Sequence, residues 1–192
     1  MIRTRVGYAG GTTDSPTYQS IGDHAETIQI DYDPRRITYA ELLDHFWHGH
    51  DPFTPAPSGQ YRSIIFYHTE EQRRLAMESK QRLEAAAGRP VLTRIMPFER
   101  FYRAEPYHQK YYVRLVPPIE MEFRRMYPDP TSFTDSTALA RVNGHVGGYG
   151  TIETFTKEIA QYGLSEAGQR LLKAIAYPPR PTRESRSQRK PR

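Results

Sequence analysis

Four short stretches gather ionisable and hydroxyl-bearing side chains at turns or element ends. They are Tyr8 ahead of "AGG", His24 and Glu26 in "GDHAE", Tyr61 in "GQYRS", and His108 with Tyr111 in "EPYHQKYY". Carboxyl, imidazole and phenol groups are those that pass protons and donate hydrogen bonds at a reacting atom. Singly, each has a plain structural reading. A tyrosine at a strand edge packs its ring and leaves its hydroxyl in water, and Glu26 leads directly into an apolar strand as a surface carboxylate would. Together they point to a site, because strand ends and the loops after them are where layered folds assemble chemistry. A further stretch, "HFWHGHD", sets His45 and His48 one helical turn apart and follows them with His50 and Asp51, a spacing metal ligands can use. Phe46, Trp47 and Pro52 explain it equally as a helix C-terminus, where histidines suit the dipole, and no metal is expected. The 192 residues contain no cysteine, which excludes disulfides, thiolate metal sites and a cysteine nucleophile from them.

The elements that must position these groups are partly visible. "RVGYAGG" reads as a strand end followed by a turn in which Gly10 and Gly11 supply positive φ or close backbone approach. "ETIQIDYD" alternates Ile28, Ile30 and Tyr32 against polar residues, the period of a half-buried strand. "TYAELLDHFWHGHDP" opens with a capping-box spacing, Thr38 to Glu41, and puts Tyr39, Leu42, Leu43, Phe46 and Trp47 on one helical face. After a proline-rich loop, "YRSIIFYH" reads as a strand, the stretch from Thr69 to Gly88 as a long helix capped at both ends, and "RPVLTRIM" as another strand. This order predicts a sheet backed by helices. Beyond Tyr112 the pattern weakens. "EMEFRRMYPDP" suggests a short helix, "NGHVGGYG" a glycine-rich loop, and "SEAGQRLLKAIA" a last amphipathic helix begun by Ser165. Residues 115–177 read as an extension with too few apolar residues per element for a core of its own.

The net charge of +5 resides in the segment Pro178–Arg192, where six basic residues face Glu184 alone, and the remainder of the chain is neutral. A basic tail rather than a basic face argues against nucleic-acid binding by the domain, and its proline, serine and arginine content predicts disorder. No apolar run is long enough to span a membrane and no leader opens the chain, so a cytoplasmic protein is expected.

The stretches "RTRVGYAGG", "PTYQSIGDHAETIQIDYDP", "ITYAELLDHFWHGHDP", "QYRSIIFYHTEEQRRLA" and "FYRAEPYHQKYY" resemble, in order and spacing, the type-A peptide methionine sulfoxide reductases, and the resemblance runs from Ile2 to about Arg114. It implies an α+β fold around a mixed, ferredoxin-like sheet backed by helices. The expected division is a reductase-like domain over 1–114, a C-terminal extension over 115–177 packed on it, and the tail over 178–192. It also implies reduction of methionine-S-sulfoxide, free or in oxidised proteins and peptides, with thioredoxin or a dithiol as reductant and no bound cofactor. A cysteine thiolate attacks the sulfoxide sulfur and is left as a sulfenic acid. A second thiol then forms a disulfide that thioredoxin reduces. In this family's pattern Glu26 is the acid that protonates the departing oxygen, for which burial would have to lift its pKa towards neutrality. Tyr8 and Tyr61 hydrogen-bond that oxygen. His108 and Tyr111 shape the rim.

Two departures stand out. The family's acidic residue just before "QYRS" is missing from "FTPAPSG", leaving Asp51 as the nearest carboxylate to replace it. The "GCFW" motif with the nucleophilic cysteine would precede "RVGYAGG", together with a first strand and helix. A start assigned too late is the expected reason; a cysteine-less remnant would not need to keep Glu26, Tyr8 and Tyr61 together. On the first account the 192 residues alone are inactive. The alternative is a module that binds oxidised methionine without turning it over.

Overall fold

The alternating stretch becomes strand β2, Ala25–Asp31, which pairs antiparallel with β1, Arg3–Ala9, from Arg3 opposite Asp31 to Ala9 opposite Ala25. Arg3 and Arg5 both reach the Asp31 carboxylate, at 3.1 and 3.2 Å, and close the far end of the ladder. A computed structural model describes residues 1–178, so the tail expectation falls outside the described residues except for Pro178. These residues divide into two compact units, 1–109 and from Lys110 onward.

In the first unit, Thr38 and Glu41 form the expected capping box and start α1, Tyr39–His48. The helix ends at Gly49, ahead of Pro52. Strand β3, Ile64–Tyr67, is followed by α2, Glu70–Ala87, which Thr69 caps and Gly88 ends in the left-handed conformation. Strand β4, Arg94–Pro97, then pairs parallel with β3. A strand the sequence pattern did not announce, β5 over Phe101–Arg103, pairs antiparallel with the other edge of β1. The fold class is α+β, as expected. Antiparallel and parallel pairing occur in two separate sheets among the described residues, ordered β2-β1-β5 and β3-β4. Leu43 and Trp47 of α1, Ile65 of β3, Ala76 of α2 and Val91 form the core between helices and parallel sheet. The Trp47 indole N–H donates to Ser79 Oγ at 3.0 Å, so the one polar atom of that ring is satisfied inside the core.

The second unit corrects two sequence expectations. It is built of α3 (Tyr111–Arg114), α4 (Pro117–Met126), α5 (Pro130–Asp135), α6 (Thr137–Val146), α7 (Ile152–Glu158) and α8 (Glu166–Ala176). "NGHV" is the end of α6 rather than loop: Ser136 caps the helix, and Leu139, Val142 and His145 fall on its buried face at helical spacing. The unit also has a core of its own, centred on Ile119, Phe123, Leu139, Val142, Phe155 and Leu172. Each helix supplies only a few apolar side chains, but they converge on one centre, which a count per element misses. The last helix starts at Ser165 as expected.

A polar network crosses this helical core. Tyr162 donates to Glu158 at 3.1 Å, so its oxygen accepts from His145 Nε2–H at 3.2 Å, and Tyr177 donates to Nδ1 at 2.9 Å. The ring is therefore the neutral Nε2–H tautomer. Burial lowers the His145 pKa below 6.5; Glu158 acts against this and Arg141 with it. Below the ordinary value the unfolded chain binds a proton that the folded chain does not. Stability from this group is therefore complete above pH about 6.5 and is lost as pH falls through the depressed folded value. Urea unfolding followed by far-UV circular dichroism between pH 5 and 8 is expected to show this acid-side loss, and His145→Gln to flatten it.

Candidate active site

Register on the β1–β2 ladder sets Tyr8 directly opposite Glu26, so both project from one face of the sheet. The turn after β1 needs its glycines. Gly10 has φ +77°, and a Cβ on Gly11 would stand 2.6 Å from the His24 backbone nitrogen. The loop of residues 10–24 is then pinned from its own far end. The Asp23 carboxylate accepts the amides of Thr12 and Thr13 at 2.8 and 3.1 Å, which holds it ionised well below the usual carboxylate range. Buried His24 donates Nε2–H to the Thr13 carbonyl at 2.8 Å and accepts the Gly11 amide at Nδ1. Near the loop's middle Thr17 and Ser20 exchange backbone hydrogen bonds, a tight turn that presents Tyr18.

Glu26 follows the first residue of β2 with its side chain exposed, and Gln60 Nε2 donates to its Oε1 at 2.5 Å. Gln60 and Tyr61 belong to the single helical turn Gly59–Tyr61 that leads into β3. The Tyr18 phenol close by, together with the charge of Glu26, pushes the Tyr61 phenol above its ordinary value. The structure thus joins Glu26, Gln60, Tyr61 and Tyr18. The Tyr8 ring is buried, and its hydroxyl donates to Glu105 Oε2 at 2.7 Å. Burial first, and Glu105 second, raise its pKa far out of the physiological range. The other Glu105 oxygen accepts the Tyr18 amide at 3.0 Å. Burial acts to raise the Glu105 pKa, but these two bonds and nearby His108 outweigh it and keep the group ionised. The burial expected around Glu26 is not supplied by the described residues, since its carboxylate faces open space.

His108 packs its ring at a tilt against Tyr18, with centroids 4.8 Å apart. Tyr111 belongs to α3 of the second unit and is exposed. Asp51 caps the turn after α1, giving its oxygens to the Thr54 hydroxyl at 2.6 Å and the Phe53 amide at 3.0 Å. His48, and His50 just past the helix, donate to the Asp44 and Phe46 carbonyls of α1, at 2.7 and 2.9 Å. Among the described residues no three or more histidine, aspartate or glutamate side chains group as a metal site would. Sequence reasoning missed Tyr18, Gln60 and Glu105. All three sit inside stretches that carried the resemblance, but in irregular segments where periodicity says nothing.

A groove of about 490 Å³ runs from Glu26 along the outer edge of β2, walled by Ile28, Leu42, Phe46, Ile64 and Phe66. Among the described residues β2 and β3 each pair on one side only, and these unpaired edges border the groove. No described helix is long and apolar enough to cross a membrane.

Known proteins resemble this chain in sequence and fold. The family described as "Peptide methionine sulfoxide reductase" matches residues 1–131, and the "Selenoprotein methionine sulfoxide reductase A, helical domain" matches residues 132–176. A peptide methionine sulfoxide reductase of Drosophila melanogaster is 41% identical over 167 residues, covering 86% of this chain and 67% of its own length. One from Sulfolobus acidocaldarius is 39% identical over 150 residues, covering 69% of this chain and 85% of its own. Among solved structures, Mxr1 of Saccharomyces cerevisiae in reduced form is similar with a TM-score of 0.54 at 36% identity, covering 59% of this chain and 71% of its own. With its first 131 residues matched to the reductase family and the next 45 to the helical domain found among such proteins, the chain belongs to the peptide methionine sulfoxide reductases, a family of oxidoreductases.

Proposed function

We propose that this protein reduces the S-epimer of methionine sulfoxide, free or in oxidised proteins, with Glu26 as proton donor and the Tyr61–Tyr18 pair as the hydrogen-bond donors to the departing oxygen. The observation that carries this reading is the Glu26 carboxylate lining the groove with the Tyr61 and Tyr18 phenols close enough to act on one another and on its charge. Phenol donors and an acid close together suit an oxygen that gains charge as its bond to sulfur weakens. Tyr8, whose hydroxyl is spent on Glu105, supports the pair from below. His108 backs the Tyr18 ring; rim roles for Tyr111 and Asp51 rest on the resemblance alone.

The reaction needs a thiolate, and none of the 192 residues is a cysteine. A cysteine outside them attacks the sulfoxide sulfur, the S–O bond breaks, the oxygen passes to the cysteine as sulfenic acid with a proton from Glu26, and the methionine thioether is released. A second thiol then displaces water to form a disulfide, and thioredoxin or another dithiol returns both sulfurs to thiols. Such chemistry suits the reducing cytoplasm. An extended segment bearing that cysteine would fill the groove, pair with the free edges of β2 and β3 to make one mixed sheet, and take Glu26 out of water. That burial is what lifts a carboxyl from about 4.3 towards the pKa of a working acid. The second reading, a module that binds oxidised methionine without turnover, is favoured by the missing thiol alone.

The 192-residue chain is expected to turn over neither sulfoxide epimer with dithiothreitol, and a form carrying a thiol-bearing strand to reduce the S-epimer only. Activity from the 192 residues alone would refute the thiol mechanism; binding without turnover in the thiol-bearing form would favour the second reading. In that thiol-bearing form, Glu26→Gln is expected to lower kcat by roughly 10² to 10⁴ with little change in substrate binding. Near-normal turnover would remove Glu26 from the role. Tyr18→Phe and Tyr61→Phe, measured singly and together, are expected to be non-additive in kcat/KM, because the two hydroxyls are neighbours proposed to act on one oxygen.

A further inference from the structure

We infer that Glu105 is a positioning residue that sets where the Tyr18 hydroxyl stands relative to Tyr61 and Glu26. This rests on the reading of the Tyr18–Tyr61 pair given above. Tyr18 sits mid-loop and is 41% exposed, so packing alone cannot fix it. The Asp23 and His24 bonds hold the beginning of the loop to its end, on either side of Tyr18. At Tyr18 itself the constraint comes from Glu105, 87 positions away in sequence, whose Oε1 accepts its amide at 3.0 Å. Oε2 of the same carboxylate accepts the Tyr8 hydroxyl at 2.7 Å. Tyr8 is 2% exposed and held on both sides in the sheet, opposite Glu26 and opposite Tyr102. An ionised carboxylate can take two donors at once with strong, short bonds, and here it ties a core side chain to a surface loop. His108 completes the seat. Its ring lies against Tyr18, and its Nε2, buried without a hydrogen-bond partner, is 4.0 Å from Glu105 Oε2. A reacting group misplaced by about 1 Å costs on the order of 10²-fold in rate, so a loop tyrosine in this role needs such a tether.

Two measurements on the 192-residue chain test this without any sulfoxide: hydrogen exchange of the Tyr18 amide by NMR, and the alkaline titration of the Tyr61 phenol. With Glu105→Ala the Tyr18 amide is expected to exchange roughly 10- to 100-fold faster, the loss of one bond to a charged acceptor. The Tyr61 phenol is expected to titrate closer to its ordinary value, while β1 and β2 amides keep their protection. Glu105→Gln is expected to restore most of both, since its amide oxygen can accept from Tyr18 and its NH₂ can donate to Tyr8. Unchanged Tyr18 exchange, or protection lost together throughout β1 and β2, would overturn the assignment. If Glu105→Ala does not fold, Tyr8→Phe, which removes only the anchoring hydroxyl, is expected to give the same localised loosening, and no change or a global loss in it would overturn the assignment. If wild type behaves as described but Glu26→Gln in the thiol-bearing form turns over normally, the reading of the site falls and the tether stands.

Discussion

The antiparallel ladder between β1 and β2 is the constraint from which the rest of the first unit follows. Its register decides that Tyr8 faces Glu26, and its closing turn fixes both ends of the loop that holds Tyr18. Because β1 is the middle strand, its other edge takes β5, and the chain leaving β5 delivers Glu105 beneath the same loop. A one-residue slip would turn every one of these side chains to the opposite face. Gly10 and Gly11 belong to this constraint, because a larger residue at either would push the turn off Phe66 or His24.

Electrostatics divides the carboxylates by what they accept. Asp23 and Glu105 are saturated with amide and hydroxyl donors and stay ionised, which suits groups that hold backbone in place. Glu26 has one amide donor from a flexible side chain and faces the groove. Asp23 and Glu26, close together in sequence, thus sit in very different surroundings.

Much of the first unit was legible in the sequence because its signals are local: the alternation in β2, the Thr38–Glu41 box, the caps of α2 and the apolar run of β3. Strand β5 was not, since three residues carry no measurable period and its partner lies about ninety residues upstream. At the site, Glu26 and Tyr61 were visible beside recognisable elements. Tyr18 and Glu105 were hidden because their importance is a contact across the fold, not a pattern along the chain. The helical unit was under-read for a related reason: Phe123, Leu139 and Leu172 are strong core residues only once six short helices share them.

The placement of Trp47 has an optical consequence. It is the only tryptophan in the chain, buried between α1 and α2 with its indole N–H bonded to Ser79. Its emission therefore reports the helix-backed core of the first unit and is blind to the helical unit, whose buried aromatics are phenylalanine and tyrosine. Exciting at the red edge of the indole band isolates one unit's melting from the other's within a single intact polypeptide, with no label and no dissection of the chain.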